Sequence, residues 1–303
     1  MSRVKLWLMQ IRLPFLVLTP VSVFLGISVV VYELPVSVLD LDRGPLHIAL
    51  AFIGALLSHI AVNVFNEYFD YKSGVDFRTR RTPFSGGSGV LTEGLLNPRS
   101  VYALGIVCVL VIIGIGAYFF TRHGALIIPL GIVGLLNVYF YTTVFTRSPL
   151  LCAIAPGLGF GPLMVMGTYF ALTGTYSLAS GLASLVPFFL VSNLLLLNQF
   201  PDVEADASAN RRHLPIAVGR RRSAEVYTAL VAAAYVSLVV PALVGVLPYM
   251  SLLGLLTLPL GFAAVKGALR YYDQIDNLIP VLGRNVLLVL LCPLLMAIGI
   301  VVS

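Results

Sequence analysis

Nine apolar runs, each long enough to cross a bilayer as a helix, fill most of this chain: about 13–32, 46–65, 101–120, 124–145, 149–172, 178–200, 224–246, 248–265 and 279–302. A helix crosses the hydrocarbon core with roughly 20 apolar residues, because it satisfies its backbone donors and acceptors internally. A membrane barrel would show short strands of alternating hydrophobicity, whereas these runs are continuous. The expected fold class is therefore all-α, a polytopic membrane protein. Composition agrees: 59% of the 303 residues are hydrophobic and 11% charged, where soluble domains carry about 25% charged. A soluble enzyme, a disordered chain and a nucleic-acid binder are excluded, the net charge of +6 notwithstanding.

Targeting and redox signals add little. The first run follows Arg3, Lys5 and Arg12 but is too long for a secretory h-region, so it reads as a retained span. Cys108, Cys152 and Cys292 sit inside apolar runs without CxxC spacing and read as small buried hydrophobes. The four histidines show no metal-ligand spacing.

Charge asymmetry orients the spans. With the N-terminus inside, the inner segments hold all nineteen Lys and Arg except Arg43 and Arg122, as the positive-inside rule requires. The expectation is an integral protein of the cytoplasmic membrane with a cytoplasmic N-terminus and an external C-terminus.

Acids are scarcer still, and six of the thirteen lie in two short segments, Glu67, Asp70, Asp76 and Asp202, Glu204, Asp206. Each segment follows the inner end of a span, the second and the sixth. Asn66…Asp70 and Asn198…Asp202 share one spacing, and the step from either residue to its counterpart is the same 132 residues. An even number of intervening spans gives the copies one orientation, the mark of a parallel internal repeat around a central cavity. The halves would be about 1–145 and 146–303 of a single domain, 1–303. Residues four apart share a helix face, so Asn66 with Asp70, and Asn198 with Asp202 and Asp206, form stripes. His59 and Asn63 extend the first stripe inward, Ser192 and Gln199 the second, and Pro201 is expected to kink the sixth helix.

Like charges at ~4 Å repel by about 4 kcal/mol at an effective dielectric of 20. Arginines or a hard divalent cation must offset that. Such cations take oxygen ligands, often a few carboxylates plus a substrate phosphate. Lys72, Arg78, Arg80 and Arg81 follow the first cluster and Arg211 and Arg212 the second. Acids for metal beside bases for phosphate describe a metal–diphosphate site. A transporter with interfacial carboxylates is the reading from another class; it is disfavoured because both clusters sit at one face. A CDP-alcohol phosphotransferase is disfavoured because its D-G-x-x-A-R spacing is absent.

The residues also resemble a known family. Asn66-Glu67-Tyr68-Phe69-Asp70-Tyr71-Lys72-Ser73-Gly74-Val75-Asp76 is similar to the first Asp-rich motif of the UbiA-type intramembrane prenyltransferases. Asn198-Gln199-Phe200-Pro201-Asp202-Val203-Glu204-Ala205-Asp206 is similar to the second. Arg12-Leu13-Pro14-Phe15, Ser85-Gly86-Gly87-Ser88-Gly89 and the Gly157–Gly167 stretch with Pro162 add to the likeness. The first motif looks most like the menaquinone branch, which prenylates dihydroxynaphthoate. Glu67 departs from the Asp common at its position, and Ala207 from the base that commonly follows the last Asp.

The resemblance implies transfer of a polyprenyl group from a diphosphate, such as geranylgeranyl diphosphate, to a hydrophobic aromatic acceptor among membrane lipids. Related donors and acceptors, including a geranylgeranylglyceryl phosphate, stay open. It implies Mg²⁺, two ions, on Asp70, Asp76, Asp202 and Asp206, with Asn66 and Asn198 orienting ligands. Lys72, Arg81 and Arg212 would take up the charge of the departing diphosphate. Tyr139 matches a tyrosine of the family and would face the carbocation. The loops at about 66–100 and 201–223 would close over the site as a cytoplasmic cap.

Overall fold

A computed structural model describes residues 2–34, 37–39 and 41–303. It is helical, as expected, and among the described residues there is no strand. Eight segments are long and apolar enough to cross a membrane, and one further apolar helix of 17 residues lies where the fourth run was expected. The molecule is an integral membrane protein.

A short helix α1 (Arg3–Gln10) precedes the first span, capped by the Ser2 hydroxyl, which accepts from the Lys5 amide at 3.3 Å. Arg12 adopts a left-handed conformation, φ 54°, and Pro14 then opens a 3₁₀ turn, Leu13–Val17, leading into α2 (Leu18–Glu33). The second span is α3 (Gly44–Ser73), the third α4 (Pro98–His123) and the fourth α5 (Ile127–Thr143).

The fifth span is broken within its length. It runs as α6 (Pro149–Leu158), a π-helical stretch Gly159–Met166, and α7 (Gly167–Thr173). Pro162 has no N–H to give the preceding turn, and the Asn137 side-chain amide of α5 donates to the Ala155 carbonyl at 3.0 Å beside the break. Gly157 and Gly161 let this span lie against the α8 backbone at Phe188 and Ser184, where a Cβ would collide.

The sixth span is α8 (Leu178–Asn198), followed by two short helices, α9 (Val203–Ser208) and α10 (Leu214–Val218). Then come α11 (Arg220–Leu243), an eighth span starting as the 3₁₀ segment Tyr249–Thr257 and continuing as α12 (Leu258–Tyr271), and α13 (Ile275–Val301). The largest apolar core lies among α2, α8, α11, α13 and the π stretch; Tyr227, Phe200, Leu190 and Leu282 are fully buried there.

Three local expectations fail. Pro201 kinks no helix, because α8 ends at Asn198 and Pro201 falls in the turn beyond. Asn198, Asp202 and Asp206 therefore do not form one helical stripe: Asp202 precedes the first residue of α9, and Asp206 lies within that helix. Ser192 does not face a cavity either; it is buried against Gly157.

Candidate active site

The two Asp-rich segments meet at one mouth of a cavity of about 670 Å³. Asn66 and Asp70 reach it from the last turns of α3, Asp76 from the 3₁₀ turn Val75–Phe77 beyond Gly74, Asn198 from the end of α8, and Asp202 and Asp206 from the start of α9. Gly74, with φ 77°, turns the chain where α3 ends.

Arg211 joins the two segments. Its guanidinium pairs with Asp70 on one side and donates to Asp206 Oδ1 at 2.7 Å on the other. Asp206 Oδ2 also accepts from His213 Nε2 at 3.0 Å. Asp70 Oδ2 accepts from Asn66 Nδ2 at 3.0 Å, and Asn66 also donates to Thr142 of α5 at 3.2 Å. Burial alone would raise the Asp206 carboxyl, but hydrogen bonds from His213 and Arg211 hold it below the usual carboxylate range. Burial opposes the charge on Arg211, yet Asp70 and Asp206 raise its pKa.

Asp76 and Asp202 are in a different state. Burial, reinforced by Asp70 and Glu67, pushes Asp76 up to about 7. Burial, reinforced by Asp206, does the same for Asp202. Asp202 Oδ1 and Asn198 Oδ1 are buried with no hydrogen-bond partner. Gly87 lies so close that a Cβ there would stand 3.1 Å from both Asp76 carboxylate oxygens, and its φ of 71° also demands glycine.

Glu67 has a job apart from the cavity. It is buried, and its carboxylate accepts from Arg12 Nε at 2.8 Å and from the Ser88 amide and hydroxyl at 2.8 and 2.7 Å. The Ser85–Gly89 loop is thus tied to α3 and to the chain before the first span. Arg12 lines the mouth; burial opposes its charge, and Glu67 then raises its pKa.

Four expected site residues do not line the cavity. Lys72 is exposed, its ammonium 5.8 Å from the centre of the Tyr68 ring. Arg81 pairs with Glu93 at 2.6 Å, and Arg212 is exposed. Tyr139 packs at 5.3 Å from Phe65 and shares a 3.2 Å hydrogen bond with the Tyr102 hydroxyl. Arg12, Arg211 and His213 take the wall positions instead, and Tyr141 replaces Tyr139. A signal for Tyr141 existed: it lies four residues after Asn137, so both share one face of α5, and both line the cavity.

The donors suit a hard divalent cation. Carboxylates and amide oxygens from both segments converge, two oxygens lack any protein partner, and burial raises the carboxyls of Asp76 and Asp202. Among the described residues no three acids, histidines or cysteines gather closely enough to hold an ion unaided.

Beyond the mouth the wall turns apolar, with Ile112, Phe119, Ile127, Leu130, Leu135 and Leu163 among its residues. His59 and Asn63 continue the α3 stripe along it, as expected; His59 is hydrogen-bonded to Thr19 at 2.9 Å. Gln199 also lines it and donates to Cys152 Sγ at 3.2 Å.

Comparison with known proteins bears on the family and the fold. The model of the UbiA prenyltransferase family matches residues 22–285. The chain is 28% identical over 253 residues to 1,4-dihydroxy-2-naphthoate octaprenyltransferase of Bacillus subtilis, covering 82% of this chain and 76% of that protein. It is 25% identical over 285 residues to 2-carboxy-1,4-naphthoquinone phytyltransferase of Synechocystis, covering 89% and 84%. Among solved structures, a UbiA homolog from Archaeoglobus fulgidus bound to GPP and Mg²⁺ superposes with a TM-score of 0.63 at 15% identity, over 98% of this chain and 100% of that one. At that identity the likeness establishes the shared fold.

Proposed function

The chain belongs to the UbiA prenyltransferase family and is a prenyltransferase, and from that premise we propose that it transfers a polyprenyl group from its diphosphate to an aromatic quinone precursor, with Mg²⁺ at the mouth. The observation that carries this reading is the meeting of both Asp-rich segments where a polar mouth opens into an apolar cavity. The acceptor class rests on the naphthoate and naphthoquinone prenyltransferases among the relatives.

Asp70, Asp76, Asp202 and Asp206 would hold two Mg²⁺ ions, with Asn66 and Asn198 orienting the ligands. When bound, those ions neutralise the charge that grows on the departing diphosphate. Arg12 and Arg211, which line the cavity where Lys72, Arg81 and Arg212 do not, would share that charge. As diphosphate arrives, Arg211 turns from the Asp70 and Asp206 carboxylates towards it. The allylic C–O bond breaks with its electron pair leaving on the diphosphate. Tyr141 offers a π face to the resulting carbocation, and the apolar wall beyond keeps water from quenching it. A ring carbon of the acceptor then forms the new C–C bond, and its proton passes to the released diphosphate.

The molecule would act as a single domain, 1–303, with loops 66–100 and 201–223 as its cap. The basic inner loops would put that cap and the N-terminus on the cytoplasmic side of the cell membrane. The test is incubation of purified protein with Mg²⁺, geranylgeranyl diphosphate and a panel of dihydroxynaphthoate, hydroxybenzoate and glycerol-lipid acceptors, read by diphosphate release and product mass. Prenylated naphthoate is expected. Absence of diphosphate release with every acceptor would sink the reading.

A further inference from the structure

The cavity is far longer than its chemistry needs. Its wall on α3 runs from Asp70 back to Leu50, a stripe at spacings of three and four. Twenty residues of helix span about 30 Å, which equals the hydrocarbon thickness of a bilayer. Near the mouth α3 and α4 are held together by Phe65, Phe69 and Tyr102, whose rings pack at 5.6 to 6.3 Å, and Gly105 takes the Phe65 ring at close range. Further along, α4 and α5 form the wall, with Gly116, Gly131 and Gly134 on it. At each of the three a Cβ would meet nothing within 4 Å. Close packing therefore does not require glycine there, and glycine weakens a helix relative to alanine. What these positions supply is room inside the cavity.

The far end of that room has a fixed floor. Phe119 lines the cavity, is 3% exposed, stacks on His123 at 5.8 Å and meets the edge of His47 at 5.3 Å. His47 is hydrogen-bonded to the Tyr118 hydroxyl at 3.1 Å, and His123 to the Ala171 carbonyl at 3.1 Å. One flank is open instead: Ile113 and Ile132 line the cavity and are about half exposed, 47% and 54%.

We propose that Gly116, Gly131 and Gly134 are the specificity residues for donor length, forming the recess that seats the distal isoprene units of a long prenyl diphosphate above the Phe119 floor. This rests on the transferase reading and adds that long donors are preferred. Leucine at 131 or 134 fills the recess without touching the mouth, so it penalises long tails and spares short ones.

The experiment compares Gly131→Leu, Gly134→Leu and Gly116→Leu with wild type on geranyl and geranylgeranyl diphosphates. Gly114→Leu is the control, because residue 114 does not line the cavity and a Cβ there also meets nothing within 4 Å. Expected is at least a tenfold fall in kcat/KM for the longer donor, carried by KM, with the shorter donor and the control within threefold of wild type. Thermal-shift titration with the matching S-thiolodiphosphates and Mg²⁺ reads the same preference without turnover. Equal losses for both donors, or an unchanged longer donor because its tail leaves through the α4–α5 flank, would overturn the proposal while the transferase reading stands. Wild type that neither binds nor turns over either donor would remove both.

Discussion

In the first Asp-rich segment α3 runs on past Asp70 to Ser73, and Gly74 turns the chain so that Asp76 still lines the mouth. In the second, α8 stops at Asn198 and the acids are carried by a turn and the short helix α9. One spacing in the sequence thus gives two backbones. The electrostatics cut across the segments: Asp70 and Asp206, one from each, are bound by Arg211, while Asp76 and Asp202, again one from each, sit near pKa 7. The two similar segments thus contribute one pair bridged by Arg211 and one pair with no direct ion-pair partner among the described residues, and the two should respond differently to loss of a charge.

The strongest way to break this comparison is Asp76→Asn or Asp202→Asn. Either should lower turnover on the order of 10²–10³-fold, as loss of one stabilising group in a catalytic site does. Either should also raise the melting temperature of the metal-free protein at pH 8, because a buried charge is removed. A fall in melting temperature would dissolve the distinction between the pairs.

Arg211→Gln should act the other way on stability. Removing one partner from a buried pair costs about 3–5 kcal/mol, here by leaving Asp70 and Asp206 facing each other, and a lower melting temperature in detergent would record it. The carbocation wall gives a smaller contrast. Tyr141→Leu should reduce turnover by up to about 30-fold, the equivalent of a desolvated cation–π contact near 2 kcal/mol. Tyr139→Phe should stay within about twofold, losing only an exchange of one hydrogen bond with Tyr102.

The smallest effect is on pH. The carboxyls of Asp76 and Asp202 stay protonated in the folded protein up to about pH 7, whereas the unfolded chain releases those protons near pH 4. Raising pH from about 4 to 7 therefore destabilises the metal-free protein, and the loss levels off above 7, where both states are ionised. Mg²⁺ must displace the same protons, so its affinity should rise from pH 6 towards 8, by about tenfold per unit for each proton displaced below pH 7. Calorimetric titration in buffers of different ionisation enthalpy would count the protons released.

The spans were legible because length and continuity of apolar runs leave a helix no alternative in lipid. The mouth was legible because acids are too costly in this setting to be scattered. Choosing between Tyr139 and Tyr141 needed the phase of α5, since residues two apart point to nearly opposite faces of a helix. Choosing Arg211 over Arg212 needed the path of the chain after α9, where the Arg212 amide bonds back to Thr146 at 2.8 Å and the neighbouring side chains diverge. The π-helical break in the fifth span was marked by Pro162 and its glycines, but not its hydrogen-bonding pattern. Arg12 belongs to the Arg12–Phe15 stretch that adds to the family likeness, but its bond to Glu67 joins residues 55 apart, a distance that no local pattern reports.

Arg211 lies 141 residues downstream of Asp70, and that separation governs biogenesis. At about 5–20 residues per second, a ribosome needs roughly 7–28 s to add that stretch. Through that interval Asp70 lacks its guanidinium partner. The carboxyl must stay wet or protonated until α8 is inserted and the chain beyond α9 docks. Assembly of the bridge from Asp70 through Arg211 to Asp206 is thus a late event in synthesis.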